Sequence, residues 1–206
     1  MTRAELKEKS KKSLEGKYWE TIKMFIVYCL VFFAVPFVIG FIGGILDLNP
    51  GISILIADVA IILVSAVLTM GMNSYFLKLS RDQEVNFTEI FSKKNYLIPY
   101  LCITVLTFIF VYLWSLLFII PGIVAAISYS MVYFIALDNP ELKANQVLKK
   151  SKELMQGHKW EYVVFVFSFL GWIILATFTF GLLYFWLLPY MSVAYANFYN
   201  NLLSEN

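Results

Sequence analysis

Long stretches of this sequence contain no lysine or arginine. The sixteen basic residues are grouped, and none lies between Lys23 and Lys78, between Lys94 and Lys143, or after Lys159. Charged residues make up 15% of the chain, whereas a typical soluble domain has about 25%. Apolar residues make up 60%, more than a soluble protein can bury but acceptable on a surface that faces lipid. The composition therefore predicts an integral membrane protein.

The residue types that build metal and catalytic sites are also scarce. His158 is the single histidine, which excludes a metal site built on several histidines. The two cysteines, Cys29 and Cys102, lie in apolar runs and are read as buried apolar side chains. The sequence has no phosphate-binding glycine loop, no HExxH or GxSxG motif, and no basic groove interleaved with aromatic residues. We therefore expect no enzymatic activity, no metal, no cofactor and no nucleic-acid partner.

The apolar stretches are long enough for six membrane-spanning helices in three pairs. A helix needs about 20 residues to cross the hydrocarbon layer, and a proline- or glycine-containing turn lies near the middle of each long stretch. These turns are at residues 48–51, at Pro121-Gly122 and at Gly181, which leaves the fourth span rather short. The predicted spans are residues 24–45, 52–77, 97–120, 122–137, 162–180 and 182–202.

The grouping of the basic residues predicts the orientation of these spans. Loops rich in lysine and arginine stay in the cytoplasm, which places all three basic segments and both ends of the chain inside. The predicted fold class is all-α, a polytopic membrane bundle of six transmembrane helices in three hairpins with amphipathic cytoplasmic surface helices. We expect one integral membrane domain, residues 1–206, in the cell membrane.

The basic segments contain signals for helices that lie on the membrane surface. Thr2 with Glu5, and Asn86 with Glu89, have the spacing of a capping box. A third helix is predicted over residues 141–156, with Asn139 as its cap and Pro140 as its first helical residue. Its apolar residues share one face, and the lysines lie opposite or beside that face, toward anionic headgroups. The candidate interfacial anchors of this helix are Lys149, Lys150 and Lys152.

Part of the first basic segment is repeated in the third. The run Lys9-Ser10-Lys11, Gly16, Trp19, Glu20 aligns without a gap with Lys150-Ser151-Lys152, Gly157, Trp160, Glu161. A glycine would end each surface helix, and Trp19 and Trp160 would then act as anchors at the headgroup level. The repeat predicts three units of surface helix plus hairpin in parallel orientation, about residues 1–80, 81–138 and 139–206.

Two polar side chains inside the predicted second span are candidates for an intramembrane polar site. Asp58 is a carboxylate within an apolar segment, and such a group is a functional hypothesis by default. It could couple proton or cation movement or bind a cationic ligand, or it could be a carboxyl satisfied near the outer interface. Asn73 lies nearer the inner end of the span, where interhelical hydrogen bonding is the simpler role.

The second half of the chain resembles a known family. The similarity rests on Leu113-Trp114-Ser115-Leu116-Leu117-Phe118-Ile119-Ile120-Pro121-Gly122, Tyr129-Ser130-Met131, Asp138-Asn139-Pro140-Glu141-Leu142, Ser151-Lys152-Glu153-Leu154-Met155 and Gly157-His158-Lys159-Trp160. These motifs are similar to those of the bacterial integral membrane family known as domain of unknown function 975. That family is distantly similar to membrane domains attached to some glycerophosphodiester phosphodiesterases. The resemblance implies six helices in a bacterial plasma membrane and supplies no activity and no catalytic residue.

Two functional hypotheses of different classes follow. The first is a non-enzymatic membrane protein that handles or senses lipid or amphipathic peptide, or assists a transport complex. Its expected partners are membrane lipids and either another membrane protein or a second copy of the chain. The second is a small proton- or cation-coupled transporter that uses Asp58.

The charge pattern gives a direct test of topology. Reporter fusions at Pro50 and Gly181 should report outside, and fusions at Lys94 and Lys150 should report inside, because the basic segments remain in the cytoplasm. Paired alkaline phosphatase and fluorescent-protein fusions measure both sides. A reversed result at either pair contradicts the predicted orientation.

Overall fold

The structure is a computed structural model that describes residues 1–205 and, at Lys94, only the backbone. Every regular element within that range is a helix, which confirms the all-α class. Two short 3-10 helices, Phe87–Phe91 and Lys94–Tyr96, lie in the segment between Ser80 and Leu97. The α-helices are α1 (Arg3–Leu14), α2 (Tyr18–Ile45), α3 (Pro50–Ser80), α4 (Leu97–Leu117), α5 (Ile119–Ser128), α6 (Val132–Asp138), α7 (Ala144–Leu154), α8 (Lys159–Phe167), α9 (Leu170–Phe178) and α10 (Tyr184–Glu205).

Five helical segments of the described chain are long and apolar enough to cross a membrane. Two of them are interrupted, since α5 and α6 together form one segment and α8 and α9 another. These five segments fit a multi-pass membrane protein. The predicted sixth span falls on α10, which is less apolar because it carries three asparagines, Asn197, Asn200 and Asn201. The five segments are Tyr18–Ile45, Pro50–Ser80, Leu97–Leu117, Ile119–Asp138 and Lys159–Phe178.

The turn predicted at Pro121-Gly122 is wrong in position. The chain turns at Phe118, whose backbone is extended between α4 and α5 (φ −160°, ψ 153°). Pro121 lies in the first turn of α5, where its missing N–H removes no helical hydrogen bond. The fourth segment therefore runs over Ile119–Asp138 and has the length of a normal span.

Two of the predicted helix starts also need correction. The Thr2–Glu5 capping box is present. Asn86 does cap the first 3-10 helix by accepting a bond from the Thr88 amide, but the Glu89 carboxylate turns away to α3. The last surface helix begins at Ala144 rather than at Pro140. Asn139 instead ends α6, because its backbone N–H and its side-chain Nδ2 both donate to the Ile135 carbonyl.

The packed core lies at one end of the bundle, which we call the core end. There the ends of α3, α6 and α10 meet and bury large aromatic side chains, including Tyr75, Phe134 and Tyr199. Away from the core end, the helices expose leucine, isoleucine and phenylalanine instead. On α2, for example, Phe33 and Phe37 are 72% and 73% exposed. Such an apolar belt is unfavourable in water and favourable in a bilayer.

Three short helices surround the core end, and each packs on a longer helix. They are α1, the 3-10 helix Phe87–Phe91 and α7, and we call them the collar. The first packs on α10, the second on α3, and the third on α4 and α6. The residues that α1 and α7 bury occupy matching positions of the sequence repeat. These buried sets are Leu6, Ser10 and Leu14 on α1, and Val147, Ser151 and Met155 at α7.

The collar approaches α3 most closely at Gly71. A Cβ atom at this position would lie 2.0 Å from the Ile90 carbonyl oxygen, a backbone atom that cannot swing aside. We expect Gly71→Ala to displace the 3-10 helix and to lower the free energy of unfolding by about 1–3 kcal/mol. Thermal unfolding of the purified protein in detergent measures the change.

Gly40→Ala on α2 is the matched control, since a Cβ there meets no atom within 4 Å. It should be neutral or slightly stabilising, because alanine favours helix more than glycine does. Equal stability of the two variants would contradict a close contact at Gly71.

Candidate functional site

Asn73 lines a cavity together with other polar side chains. The cavity has a volume of about 180 Å³ and lies between α3, α6, α8 and α10. Among the described residues, no carboxylate, lysine, arginine or histidine lines it, so its recognition chemistry is neutral hydrogen bonding. Asn73 also borders a second, larger cavity of about 400 Å³ beside α2. The other residues around the first cavity are Ser130, Met131, Tyr133, Phe134, Tyr162, Ser192 and Tyr195.

The interruption between α5 and α6 lies at this cavity. Ser130 falls in the break, and its buried Oγ lies beside Tyr162 without a hydrogen bond of normal geometry. A break inside a span frees backbone carbonyls, which must find other donors. The Ser128 carbonyl accepts a bond of 2.9 Å from Ser151 Oγ on α7. The collar therefore stabilises the irregular backbone that shapes the cavity.

The second interrupted segment is stabilised in the same way by α1. Lys7 Nζ donates to the Ser168 carbonyl over 2.9 Å, at the break between α8 and α9, and lies 4.4 Å from the centre of the Phe169 ring. Burial of the ammonium, with Arg3 and Lys11 nearby, lowers the pKa of Lys7. Because the Lys7 ammonium contacts both an aromatic ring and a backbone carbonyl, we assign it a structural role.

The structure does not bring Asp58 and Asn73 together. They lie about 22 Å apart along α3, at a rise of about 1.5 Å per residue. Asp58 is exposed, and no hydrogen bond or ion pair joins it to another described residue. Five hydroxyl-bearing side chains line the cavity that Asn73 borders.

A polar junction that the sequence did not reveal joins the ends of α3, α6 and α10. Arg81 donates two bonds to the Asp138 carboxylate, one of them over 2.8 Å, and a third of 3.0 Å to Asn200 Oδ1. The Tyr199 hydroxyl donates to the same carboxylate over 2.9 Å, and Asn200 Nδ2 donates to Ser80 Oγ. The hydrogen bonds that Arg81 donates to Asp138 raise the pKa of Arg81, although burial opposes this shift. The junction therefore holds the core end together.

Glu89 fastens the first 3-10 helix to α3. Its carboxylate accepts a bond of 2.9 Å from Ser74 Oγ and pairs with Lys78 at 3.0 Å. Burial opposes ionisation of Glu89, but the bonds from Lys78, Ser74 and Ser92 outweigh it and lower the pKa. This contribution to stability is present above the ordinary value of 4.5 and is lost as the pH falls through the lower value in the folded protein.

A pocket of about 210 Å³ opens on the flank of the bundle between α4, α5, α7 and α8. Its lining is mostly apolar and includes Trp114, and Lys152 and Lys159 line it as well. Within the described residues, neither lysine forms an ion pair or a hydrogen bond. The remaining lining residues are Pro121, Val124, Ala125, Ser128 and Tyr129.

The predicted anchors thus have different environments. Lys152 lines the flank pocket, whereas Lys150 Nζ donates to Asn139 Oδ1 over 2.7 Å. Lys149 lies on the exposed face, 3.8 Å from the Glu153 carboxylate. Trp19 and Trp160 are 65% and 75% exposed, as residues that contact headgroups would be. Lys159 was not singled out from the sequence, although its place beside Trp160 was a signal.

The ends of α8 and α10 bring three further polar groups together. His158 Nδ1 lies 3.3 Å from Glu161 Oε2 and 3.7 Å from Glu205 Oε2. These donor atoms lie within 4.8 Å of one another, so the set could hold a cation. The contacts among the three side chains require no bound ion, and we assign the set no ligand.

One comparison with known proteins gives a result. The family model described as "Protein of unknown function (DUF975)" matches residues 1–128 and 116–206, which together cover the whole chain. No curated protein and no solved structure matches the chain.

The junction can be tested by replacing one carboxylate oxygen of Asp138 with an amide nitrogen. We expect Asp138→Asn to lower the free energy of unfolding by about 2 kcal/mol, because a charged acceptor is lost and Arg81 remains partly buried without it. Chemical unfolding in detergent measures the change. The control is Glu153→Gln, which alters an exposed pair with Lys149 and should cost less than about 0.5 kcal/mol. Similar losses in both variants would contradict a structural role for the junction.

Proposed function

The chain belongs to the family of unknown function DUF975, and we propose that it is a non-enzymatic membrane protein that binds a lipid or another amphipathic molecule on its flank. The observation that carries this proposal is the pocket with Trp114, Lys152 and Lys159. An apolar wall that ends at two ammonium groups matches a molecule with an apolar part and an acidic end.

The size of the pocket supports an occupant that stays partly in the bilayer. Pockets that enclose a whole small molecule measure about 300–1,000 Å³, and this one measures about 210 Å³. It can therefore hold one end of a lipid or of a lipid-like chain. The exposed side chains around it, such as Leu116 and Ile123, continue into the apolar belt, where the rest of the molecule would lie.

We further propose six spans in a bacterial cell membrane, with the basic segments and the collar on the cytoplasmic side. The charge pattern along the chain supports this orientation. In this arrangement α10 is the sixth span. Its polar residues Asn197 and Asn201 are buried against its neighbours, and Asn197 Nδ2 donates to Ser10 Oγ on α1 over 3.0 Å. Its lower hydropathy is therefore compatible with a span that other helices shield.

The alternative of a coupled transporter centred on Asp58 has less support. Coupling to a proton or cation needs an acidic or carbonyl-lined site that the substrate reaches. The polar cavity with an interrupted span beside it surrounds Asn73, and Asp58 is exposed elsewhere on α3. Lipid binding on the flank requires neither residue.

Native mass spectrometry of the full chain in mild detergent tests the proposed function. The wild type should retain an amphipathic molecule, and Val124→Trp should reduce its occupancy at least tenfold, because the new side chain fills the pocket that Val124 lines. Ile123→Trp is the control, since Ile123 is exposed beside the pocket without lining it. If the wild type retains no such molecule, or if both variants behave alike, the proposal fails.

A further inference from the structure

The flank of the bundle has a second pocket built on the same plan as the first. It measures about 170 Å³ and lies between α1, α2, α9 and α10. Lys11 and Tyr18 form one side, and an apolar aromatic wall forms the other. The residues of that wall are Trp172, Leu183, Trp186, Leu187 and Tyr190.

The polar sides of the two pockets occupy the same positions of the sequence repeat. Lys11 and Lys152 each follow a fully buried serine, Ser10 or Ser151. Continuing the ungapped alignment places Tyr18 opposite Lys159, and these residues line the corresponding pockets. The collar helix and the start of the following span thus present the same two positions twice.

The apolar sides correspond as well. In the first pocket Pro121 and Ala125 of α5 form the wall, and in the second Trp186 and Tyr190 of α10 do so with the same spacing. The preceding helix adds a tryptophan in both pockets, Trp114 from α4 and Trp172 from α9. Each pocket therefore lies where a collar helix meets the neighbouring pair of spanning helices.

The charge of the residues that line the two pockets indicates which kind of ligand would bind there. Within the described residues the two linings contain three lysines and no carboxylate. Lys12 and Lys149 on the same helices are instead paired with Glu8 and Glu153. An ammonium beside an apolar wall and a tyrosine hydroxyl suits a phosphate at the membrane interface. The absence of a carboxylate leaves nothing to hold the amine of a zwitterionic headgroup.

The third collar helix does not form an equivalent site. The cavity beside Phe87 and α2 is lined by both Glu20 and Lys23. A carboxylate next to the ammonium removes the net positive charge that an anion needs. Two of the three collar helices therefore contribute to a positively charged pocket, and the third contributes to a groove without net charge.

We propose that the two pockets are a pair of binding sites for the phosphate group of anionic membrane phospholipids. The site with Lys152 and Lys159 is the stronger one, because it offers two ammonium groups where the other offers Lys11 and the Tyr18 hydroxyl. The acyl chains lie along the tryptophan walls. This inference rests on the proposed function and specifies its ligand class and number of sites.

The test uses the full chain in nanodiscs or mild detergent with phosphatidylglycerol or phosphatidylcholine, analysed by native mass spectrometry. The wild type should bind two phosphatidylglycerol molecules in preference to phosphatidylcholine. Lys152→Gln and Lys159→Gln should each weaken the stronger site about fivefold, and Lys11→Gln should weaken the other by a similar factor, equivalent to about 1 kcal/mol per lysine.

Lys149→Gln and Lys12→Gln are the matched controls, since they make the same charge change on the same helices at exposed positions. They should leave both affinities unchanged. Lys152→Arg should retain binding, because the positive charge remains. Inorganic phosphate should not displace the lipid, because it has no chain to contact the tryptophan wall.

Three outcomes overturn the inference. Equal losses in the controls and the pocket variants would mean diffuse attraction to a basic surface. Displacement by inorganic phosphate would mean an anion site without lipid contacts. Retention of lipid without preference for phosphatidylglycerol would refute the two sites for anionic phospholipid but leave the proposed function in place. Retention of no amphipathic molecule would refute both.

Discussion

Helices in a bilayer gain little by burying apolar side chains against one another, because lipid tails are equally apolar. Polar bonds and close backbone contacts must therefore hold such a bundle together. In this protein the polar bonds are concentrated at the core end, where Arg81 donates to Asp138 and Asn200, and Tyr199 donates to the same Asp138 carboxylate. Glycine provides the close contacts. Gly43 faces Ser53 across α2 and α3, and Gly122 faces Ser115 across α4 and α5.

The collar depends on the same constraint. It supplies hydrogen-bond donors from outside the long helices to carbonyls that the two interrupted spans leave free, through Ser151 and Lys7. The irregular backbone near the Asn73 cavity is therefore stabilised by helices distant in sequence. The same collar helices carry the lysines of the flank pockets, so one set of elements both supports the interrupted spans and lines the pockets.

Some local features of this fold were readable from the sequence, whereas those that depend on tertiary contact were not. The Thr2–Glu5 capping box uses neighbouring residues, and it was predicted correctly. Gly16 and Gly157 adopt positive φ after their helices, as a glycine at a helix end allows. The breaks at Ser130 and Ser168 carry no glycine or proline, so no local signal marked them. Arg81 and Asp138 are far apart in sequence and meet only through folding. Of the predicted anchors, Lys152 lines the flank pocket. That Trp114 lines the same pocket could not be inferred without the structure.

The packing of α1 on α10 has a consequence for the order in which this molecule is made. Ser10 is hydrogen-bonded to Asn197, and Lys7 to the Ser168 carbonyl. The helix that carries Ser10 and Lys7 is synthesised early, whereas these partners leave the ribosome late. Until then Ser10 and Lys7 must remain in water or at the lipid surface. Contacts between distant parts of a chain form slowly, since a long loop must close first. Assembly of this protein should therefore end with the seating of its first helix, and the pocket at Lys11 should be the last part to form.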